Sequence, residues 1–258
     1  MLQGRSKSKL TINIDNKTIE KTNRNYSERL NVQALKQNNF DSNLFKVPKI
    51  HSFAKHGFVM EYIDGKNFVE FFENSNVQEI YNAYKIFNQY FSSFSTEDQL
   101  INNQLIKKLN LLNKKSKYKK IIKNILKIVE NNNISVPIGT CHGDLTFSNM
   151  VFKNEKIYLV DFLDSFIDSK IIDLIKIRQD TAFFWSLEVN KISSRKTEMV
   201  LKKLDEILYK KHKNTINSLE YKVLEIVNYL RIEPYLSDKK EADRLNIIIK
   251  FLIANIKT

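Results

Sequence analysis

One short segment interrupts a long helical pattern and limits what this 258-residue chain can fold into. From Asn67 onward, apolar residues recur at helical spacing in stretches such as 77–94, 98–130 and 170–189. Between Ile134 and Asp161, however, a proline and a glycine precede the polar loop CHGDLTFSNM, and two β-like runs flank an Asn-Glu turn. An irregular loop beside a small hairpin, within a helical region, is typical of a functional site.

The loop and the strand after it carry carboxylate and amide side chains at a spacing that suits phosphoryl transfer. His142, Asp144 and Asn149 are spaced His-x-Asp-x4-Asn, and Asp161 ends an apolar strand. An acceptor hydroxyl needs a carboxylate to orient it and take its proton, and Asp144 can supply one from the loop. Mg²⁺ prefers oxygen ligands and usually takes one or two from the protein, which predicts Asn149 and Asp161 as metal ligands. The segment therefore predicts a phosphotransferase centre.

The residues beside Asp144 are predicted to shape the loop. His142 is interpreted as a buried residue that hydrogen-bonds the loop backbone, and Gly143 as a point of backbone freedom or close approach. Cys141 is the only cysteine, so the chain can form neither an internal disulfide nor a thiolate zinc site. We expect Cys141 to be a small buried residue rather than a nucleophile, in a reducing cytoplasm.

The string HGDLTFSN, with the following strand and Asp161-Phe162, resembles the catalytic loop and metal-binding segment of the aminoglycoside phosphotransferase and choline kinase superfamily. This superfamily is the small-molecule branch of the protein-kinase-like fold. Protein kinases proper have a basic residue after the histidine, a lysine two residues after the aspartate and a glycine closing the metal motif. This chain has Gly143, Thr146 and Leu163 there, so it is more similar to the small-molecule branch.

The resemblance implies a bilobal α+β fold with a small N-terminal lobe of antiparallel sheet and one helix, and a larger, mainly helical C-terminal lobe. The sequence pattern agrees, with a predicted hairpin over 9–22, a helix over 26–38 and two further strands before Asp64-Gly65. We therefore expect a nucleotide-binding lobe over residues 1–64 and a catalytic and substrate lobe over 65–258.

The resemblance also implies a nucleotide, ATP or GTP, as the phosphoryl donor, with magnesium. The implied phosphate-covering turn lies at Gly4 and Ser6. The lysine for the α- and β-phosphates is Lys21 or, as second choice, Lys17, and its glutamate partner is Glu28. The adenine-facing backbone lies at Glu61, Tyr62 and Ile63.

Beyond the metal motif, the resemblance places an aspartate at the start of a helix under the active site, where it braces the catalytic loop. Asp173 matches that position. Asp164, Asp180 and Trp185 are further candidates for the acceptor pocket, with Asp164 alternatively a helix cap. Trp185 and its aromatic neighbours could form the walls of a cation-π cage.

The net charge of +13 and the pI near 9.5 disfavour a strongly cationic acceptor. Nucleic-acid binding is not expected, because lysine accompanies Asn and Ile along the whole chain. The very basic stretch 107–127 predicts a solvated lysine face over an apolar stripe, with an anionic membrane surface or RNA as the alternative. No apolar run reaches the roughly 20 residues that span a bilayer, which predicts no transmembrane segment.

Three functions from different classes fit these patterns. The first is a kinase of a small hydroxylated metabolite, such as a sugar or amino alcohol of cell-surface polysaccharide synthesis, with choline, ethanolamine or aminoglycoside kinases as alternatives. The second is a catalytically silent nucleotide-binding module, which the glycine-poor phosphate turn suggests. The third is a basic RNA-binding or membrane-surface protein on a kinase scaffold. The patterns name neither the acceptor nor the oligomeric state.

Overall fold

The first part of the chain forms an antiparallel sheet with a helix packed on it. The structure, a computed structural model, describes residues 2–3, 8–25, 27–94, 97–236 and 238–256. The elements are β1 (Leu2–Gln3), β2 (Lys9–Asn13), β3 (Thr18–Thr22), α1 (Ser27–Asn38), β4 (Ile50–Ala54) and β5 (Gly57–Glu61). The strand order across the sheet is β1-β2-β3-β5-β4.

Close backbone packing fixes the middle of this sheet. β2 and β3 pair as the predicted hairpin, with Ile12 opposite Ile19. Gly57 begins β5 opposite Thr22, and a Cβ atom there would lie 1.8 Å from the carbonyl oxygen of Lys21. Only glycine allows the two strands to approach so closely.

Helix α1 covers one face of the sheet with a short apolar stripe. Leu30 and Ala34, one helical turn apart, are buried against Phe58 and Met60 of β5. This cluster is separate from the main core, so the sheet and α1 form a small unit of their own.

The rest of the chain is mainly helical and carries two small hairpins. The hairpins are β6 (Asp98–Leu100) with β7 (Ser135–Pro137), and β8 (Met150–Lys153) with β9 (Lys156–Leu159). The helices are α2 (Phe68–Asn74), α3 (Val77–Ser92), α4 (Asn102–Asn113), α5 (Lys119–Asn131), α6 (Lys170–Thr181), α7 (Trp185–Val189), α8 (Arg195–Asn217), α9 (Leu219–Leu230) and α10 (Lys239–Ile256), with short 3₁₀ turns at Phe147–Asn149 and Glu233–Tyr235.

Local sequence explains where several of these helices begin. The Asn67 side chain caps α2 and Glu70 returns a hydrogen bond to the cap backbone, and Asn76 and Glu79 repeat this arrangement at α3. The prediction of one helical stretch over 98–130 is wrong, because residues 98–100 pair with β7 instead and the chain breaks between α4 and α5. A spacing of three to four residues between positions of like polarity does not distinguish a short edge strand from the first turn of a helix.

The β8–β9 hairpin joins the sheet to the helical part. On one side, the Lys46 amide donates to the Ile157 carbonyl at 2.9 Å, and the Lys46 carbonyl accepts from Leu159 at 2.8 Å. On the other side, Lys66 and Phe152 exchange backbone hydrogen bonds of 2.9 and 2.8 Å. The chain therefore contacts this hairpin both before β4 and after β5, which places the hairpin and its loop beside the sheet.

The main core lies among the helices and includes the loop before β8. Phe147 of that loop is fully buried, and its ring meets Phe72 and Phe87 edge-on at 5.4 and 5.5 Å. The fold is the predicted α+β architecture, with a small antiparallel sheet followed by a larger helical part. Among the described residues, no helix combines the length and the apolar character needed to cross a membrane.

Candidate active site

A buried aspartate on α6 fixes the start of the loop. Asp173 accepts hydrogen bonds from the amides of His142 and Gly143 and from the Tyr90 hydroxyl, each at 2.7 Å. Burial raises the pKa of Asp173. Gly143 has φ +84°, and a Cβ atom there would lie 2.1 Å from Ser165 Oγ, so the loop needs glycine at this position.

The His142 side chain connects the loop to the strand that leads to Asp161. Its Nδ1 atom accepts the Asp144 amide hydrogen at 3.1 Å, so the ring proton is assigned to Nε2, which donates to the Val160 carbonyl at 2.9 Å. Burial lowers the pKa of His142, and the ring packs on Phe162 with centroids 4.2 Å apart. The histidine is therefore a neutral structural link.

A second buried aspartate on α6 holds the middle of the loop. Asp180 accepts the Phe147 amide at 2.7 Å and the Ser186 amide at 2.8 Å, and burial raises its pKa to about 6. Asp180, predicted from sequence as an acceptor-binding residue, is fully buried beneath the loop. Its spacing of seven residues from Asp173, two helical turns on one face, is the signal that sequence reasoning missed.

Asp144 is held between two side chains. Its carboxylate lies 2.9 Å from the Lys176 ammonium on α6, and the Asn149 amide donates both to that carboxylate at 3.0 Å and to the Asp144 carbonyl at 2.8 Å. Burial alone would raise the pKa of Asp144, but Lys176 outweighs it, with help from Arg231, and holds the pKa below its usual value.

Lys176 was not among the residues predicted from sequence. It follows Asp173 by three positions, which puts both side chains on the face of α6 under the loop. The side chain is 10% exposed, and its partner Asp144 is 28% exposed. The loop itself has Thr146 where protein kinases have a lysine, so the cation beside Asp144 comes from a helix distant in sequence.

Asn149 and Asp161 lie next to each other at the edge of the loop. The Val160 amide donates to the Asn149 carbonyl at 3.0 Å, which brings Asp161 alongside. Asp161 has φ +61°, and its side chain is half exposed. Among the described residues, the side-chain oxygen of Asn149 and the second carboxylate oxygen of Asp161 accept no hydrogen bond. Two free oxygens from neighbouring residues fit a magnesium ion that takes its other ligands from phosphate and water.

Lys21 on β3 reaches across to Asp161. Its side chain is almost fully buried, and its ammonium contacts the Asp161 carboxylate and Gln33 Oε1, the latter at 3.3 Å. Glu28, the predicted partner of Lys21, is exposed on the first turn of α1. Gln33 occupies that place instead, one and a half turns later, and Lys17 lies exposed in the β2–β3 turn.

The segment after β5 offers one unpaired stretch of backbone. The Glu61 amide donates to the Lys49 carbonyl at 2.9 Å and the Tyr62 amide to the Lys17 carbonyl at 2.8 Å. Within the described chain, the amide and carbonyl of Ile63 have no protein partner. Gly4 and Ser6, the predicted phosphate-covering turn, lie outside the described residues.

Lys36 of α1 makes a contact that sequence reasoning did not predict. Its ammonium donates to the Leu163 carbonyl at 3.1 Å and to Ser165 Oγ at 3.2 Å, and it pairs with Asp168. Its neighbour Cys141 is fully buried, and burial raises the pKa of that thiol well above its usual value. The thiol is therefore not a nucleophile.

The remaining acceptor candidates differ in position. Trp185, predicted with its aromatic neighbours to form a cation-π cage, is buried in the main core and meets Tyr229 edge-on at 6.4 Å. Asp164 is exposed in the loop after Asp161, where its charge acts on Lys108 and Arg231.

The sheet with its helix, and the helical part with its braced loop beside the β8–β9 hairpin, define the aminoglycoside phosphotransferase and choline kinase superfamily of the protein-kinase-like fold. Within it, the chain belongs to the ecdysteroid kinase-like family, whose family model matches residues 22–179. No curated protein sequence matches the chain.

Solved structures share the fold at low sequence identity. The streptomycin-ATP ternary complex of APH(2'')-IIa aligns with a TM-score of 0.54 at 14% identity, over 86% of this chain and 81% of that one. The gentamicin complex of APH(2'')-IIa aligns with a TM-score of 0.52 at 14% identity, over 100% and 90%. A choline/ethanolamine kinase family protein from Mesorhizobium loti gives 0.48 at 14% identity, over 94% and 83%.

Proposed function

We propose that the protein is a magnesium-dependent phosphotransferase that moves the γ-phosphoryl group of ATP or GTP to a hydroxyl of a small metabolite. Residues 1–64 bind the nucleotide, residues 65–258 carry catalysis and acceptor binding, and the protein works in the cytoplasm. The acceptor class proposed first is a sugar or amino alcohol of cell-surface polysaccharide synthesis. Choline, ethanolamine and aminoglycosides are the alternatives.

The observation that carries the proposal is the convergence of three side chains at the loop. Asn149 hydrogen-bonds the Asp144 carboxylate, and the backbone of Asn149 hydrogen-bonds the residue before Asp161. An ionised carboxylate thus lies beside two metal-type oxygen donors, which is the arrangement that phosphoryl transfer to an alcohol requires.

In the proposed reaction, Asp144 orients the acceptor hydroxyl and receives its proton. The hydroxyl oxygen forms a bond to the γ-phosphorus, the bond from that phosphorus to the β,γ-bridging oxygen breaks, and the products are a phosphorylated acceptor and a nucleoside diphosphate. Because the transition state is loose, the proton leaves late, and a carboxylate with a low pKa serves mainly to position the nucleophile. Magnesium bound by Asn149 and Asp161 would neutralise charge on the phosphates.

Nucleotide binding is supported by the sheet side of the site. Lys21 is a buried cation beside Asp161, and the unpaired Ile63 backbone offers one donor and one acceptor to an adenine or guanine base. The similarly folded APH(2'')-IIa is described in a complex with streptomycin and ATP. Lys21 is accordingly proposed to release Asp161 and bind the nucleotide phosphates.

The decisive test is a nucleotide-consumption screen with magnesium over sugars, amino alcohols and aminoglycosides. We expect ADP or GDP release that depends on one acceptor class and falls about 10³-fold in Asp144→Asn, which keeps the shape but loses the proton acceptor. Asp98→Asn, an exposed change on β6, is the control. The proposal fails if no acceptor is phosphorylated and nucleotide does not raise the melting temperature.

A catalytically silent nucleotide-binding module is the second candidate function. The observation that favours it is Gln33, a neutral side chain, in contact with Lys21 where a carboxylate was expected. Nucleotide-dependent stabilisation that persists in Asp144→Ala, with no turnover in the parent protein, would support this candidate over the enzyme.

A further inference from the structure

Three cations from separate parts of the chain act on one another beside the loop that follows Asp161. Lys108 lies on α4, Arg231 follows the last residue of α9, and Arg29 lies on α1. The ammonium of Lys108 and the guanidinium of Arg231 both lie over the ring of Phe166, at 5.9 and 5.6 Å from its centroid. Phe166 itself belongs to the loop that follows Asp161.

In the described part of the chain, these three cations are neither fully exposed to solvent nor paired with a carboxylate. All three are partly buried, whereas the other lysines of the basic stretch 107–127 are exposed. Within the described chain, no carboxylate lies within 4 Å of any of the three. The stretch 107–127 is thus a solvated face with one lysine turned inward.

The electrostatics of the cluster are unfavourable without a ligand. Burial and the charges of Arg231 and Arg29 lower the pKa of Lys108, and burial and Arg29 lower the pKa of Arg231. Asp164 attracts both cations but is itself exposed, and Asp144 is already paired with Lys176. Like charges that are partly desolvated and unpaired cost folding free energy, and an anion bound among them recovers it.

The cluster is also close to the proposed chemistry. The charges of Arg231 and Asp144 attract each other without a direct contact, so the guanidinium lies within electrostatic reach of the carboxylate that would face the acceptor hydroxyl. Of the three cations, Arg231 is therefore the one that a molecule with its hydroxyl at Asp144 would extend towards.

We propose that the acceptor is an anionic hydroxy compound whose carboxylate or phosphate group is bound by Arg231, Lys108 and Arg29 while its hydroxyl faces Asp144. Phe166 holds Arg231 and Lys108 in position for this contact. The inference rests on the proposed phosphotransferase function and narrows its acceptor class. It disfavours choline, ethanolamine and aminoglycosides, whose ammonium groups would be repelled.

The test compares acceptors that share a carbon skeleton and differ in the charge carried by one terminal group. Glucose, glucuronate and glucose 6-phosphate form one set, glycerol, glycerate and glycerol 3-phosphate a second, and ethanolamine is the cation. We expect kcat/KM for an anionic member to exceed that of its neutral parent by about tenfold or more, as charge-assisted hydrogen bonds require. Comparison of the carboxylate and phosphate members of each set shows which anion is recognised. Equal or better use of a neutral or cationic acceptor overturns the proposal.

Single variants separate this site from the nucleotide site. Lys108→Gln should raise KM for the preferred anion about tenfold while KM for ATP stays within about twofold. Lys85→Gln is the matched control, because Lys85 also lies over an aromatic ring, Tyr81 at 4.7 Å, but on the exposed face of α3. If Lys108→Gln leaves the anion KM unchanged, or weakens ATP instead, the cluster does not bind the acceptor.

A binding measurement keeps the two proposals distinguishable. Calorimetric titration of glucuronate, glucose 6-phosphate and glucose into nucleotide-free protein reports on the cluster without catalysis. Anion binding that Lys108→Gln weakens, in a protein that turns over no acceptor, supports the anion site and contradicts the phosphotransferase. Turnover of acceptors with no preference for anions supports the phosphotransferase and contradicts the anion site. If Arg231→Gln does not fold, Arg231→Lys takes its place. It keeps the charge and should retain more than half of the binding free energy.

Discussion

The ammonium of Lys176 lies 2.9 Å from the carboxylate of Asp144, although the two residues are 32 positions apart. Since the pKa of Asp144 is held below its usual value chiefly by this cation against the effect of burial, Lys176 decides the protonation state of the proposed proton acceptor. The helix that braces the loop with Asp173 also supplies this charge.

Replacing Lys176 with methionine should lower kcat about 10²-fold and shift the acidic limb of the kcat/KM profile to higher pH. Without the cation, burial raises the pKa of Asp144, and a protonated carboxyl group cannot take the acceptor proton. The measurement is kcat/KM from pH 5 to 9. Lys170→Met is the control on the same helix, because the Lys170 ammonium bonds Ser93 and Tyr90 carbonyls instead. An unmoved acidic limb would show that Lys176 is only structural.

Gly143→Ala should destabilise the protein by about 2 kcal/mol or more, because an alanine at φ +84° is strained and its Cβ meets Ser165 Oγ. Urea unfolding measures the loss. The double variant Gly143→Ala/Ser165→Gly removes that contact and should recover part of the free energy, but not all, since the Leu163 carbonyl still lies 2.9 Å away. Equal stabilities of parent and Gly143→Ala would contradict the loop geometry.

Asp180→Asn should change how stability depends on pH. Burial raises the pKa of Asp180 from 3.8 to about 6 in the folded protein, so its protonated form stabilises the fold below pH 4, and this contribution is lost as pH rises through 6. The unfolding free energy of the parent, minus that of Asp180→Asn, should fall by up to about 3 kcal/mol between pH 4 and 7. Urea titrations at four pH values measure it, and a flat difference would be inconsistent with a buried, titrating Asp180.

Gln33→Glu should lower the magnesium concentration that half-saturates activity by about threefold to tenfold. A carboxylate at this buried position would draw the Lys21 ammonium from Asp161, which leaves Asp161 free for the metal. Gln33→Met, similar in size but without an acceptor, is the control. An unchanged or higher half-saturating magnesium concentration in Gln33→Glu would mean that Lys21 does not compete with the metal.

The fold and the loop could be predicted because their signals are local. The β2–β3 hairpin depends on alternation and a turn pair within fourteen residues, and the loop depends on the spacing from His142 to Asn149. The prediction for 98–130 failed because a three-residue edge strand has too few positions for a period to show.

The contacts of the site were harder to predict because they depend on packing between distant segments. In sequence, Lys176 and Asp180 look like charged residues on the exposed face of a helix. What distinguishes them is that they lie on the face of α6 under the loop, and the sequence does not show which face that is. The choice of Glu28 followed residue type, whereas the structure selects Gln33 by helix phase. Trp185 was assigned to the acceptor pocket by its chemistry, and residue type alone did not show that the indole packs into the main core.

The contact between Lys36 and the loop after Asp161 has a mechanical consequence. One ammonium on α1 is bound to the Leu163 carbonyl, to Ser165 and to Asp168 at once. Sliding of α1 along the helical part would break all three contacts together. Rotation about the Lys36 ammonium strains them far less, so any rotation of the sheet relative to the helical part would pivot at this point.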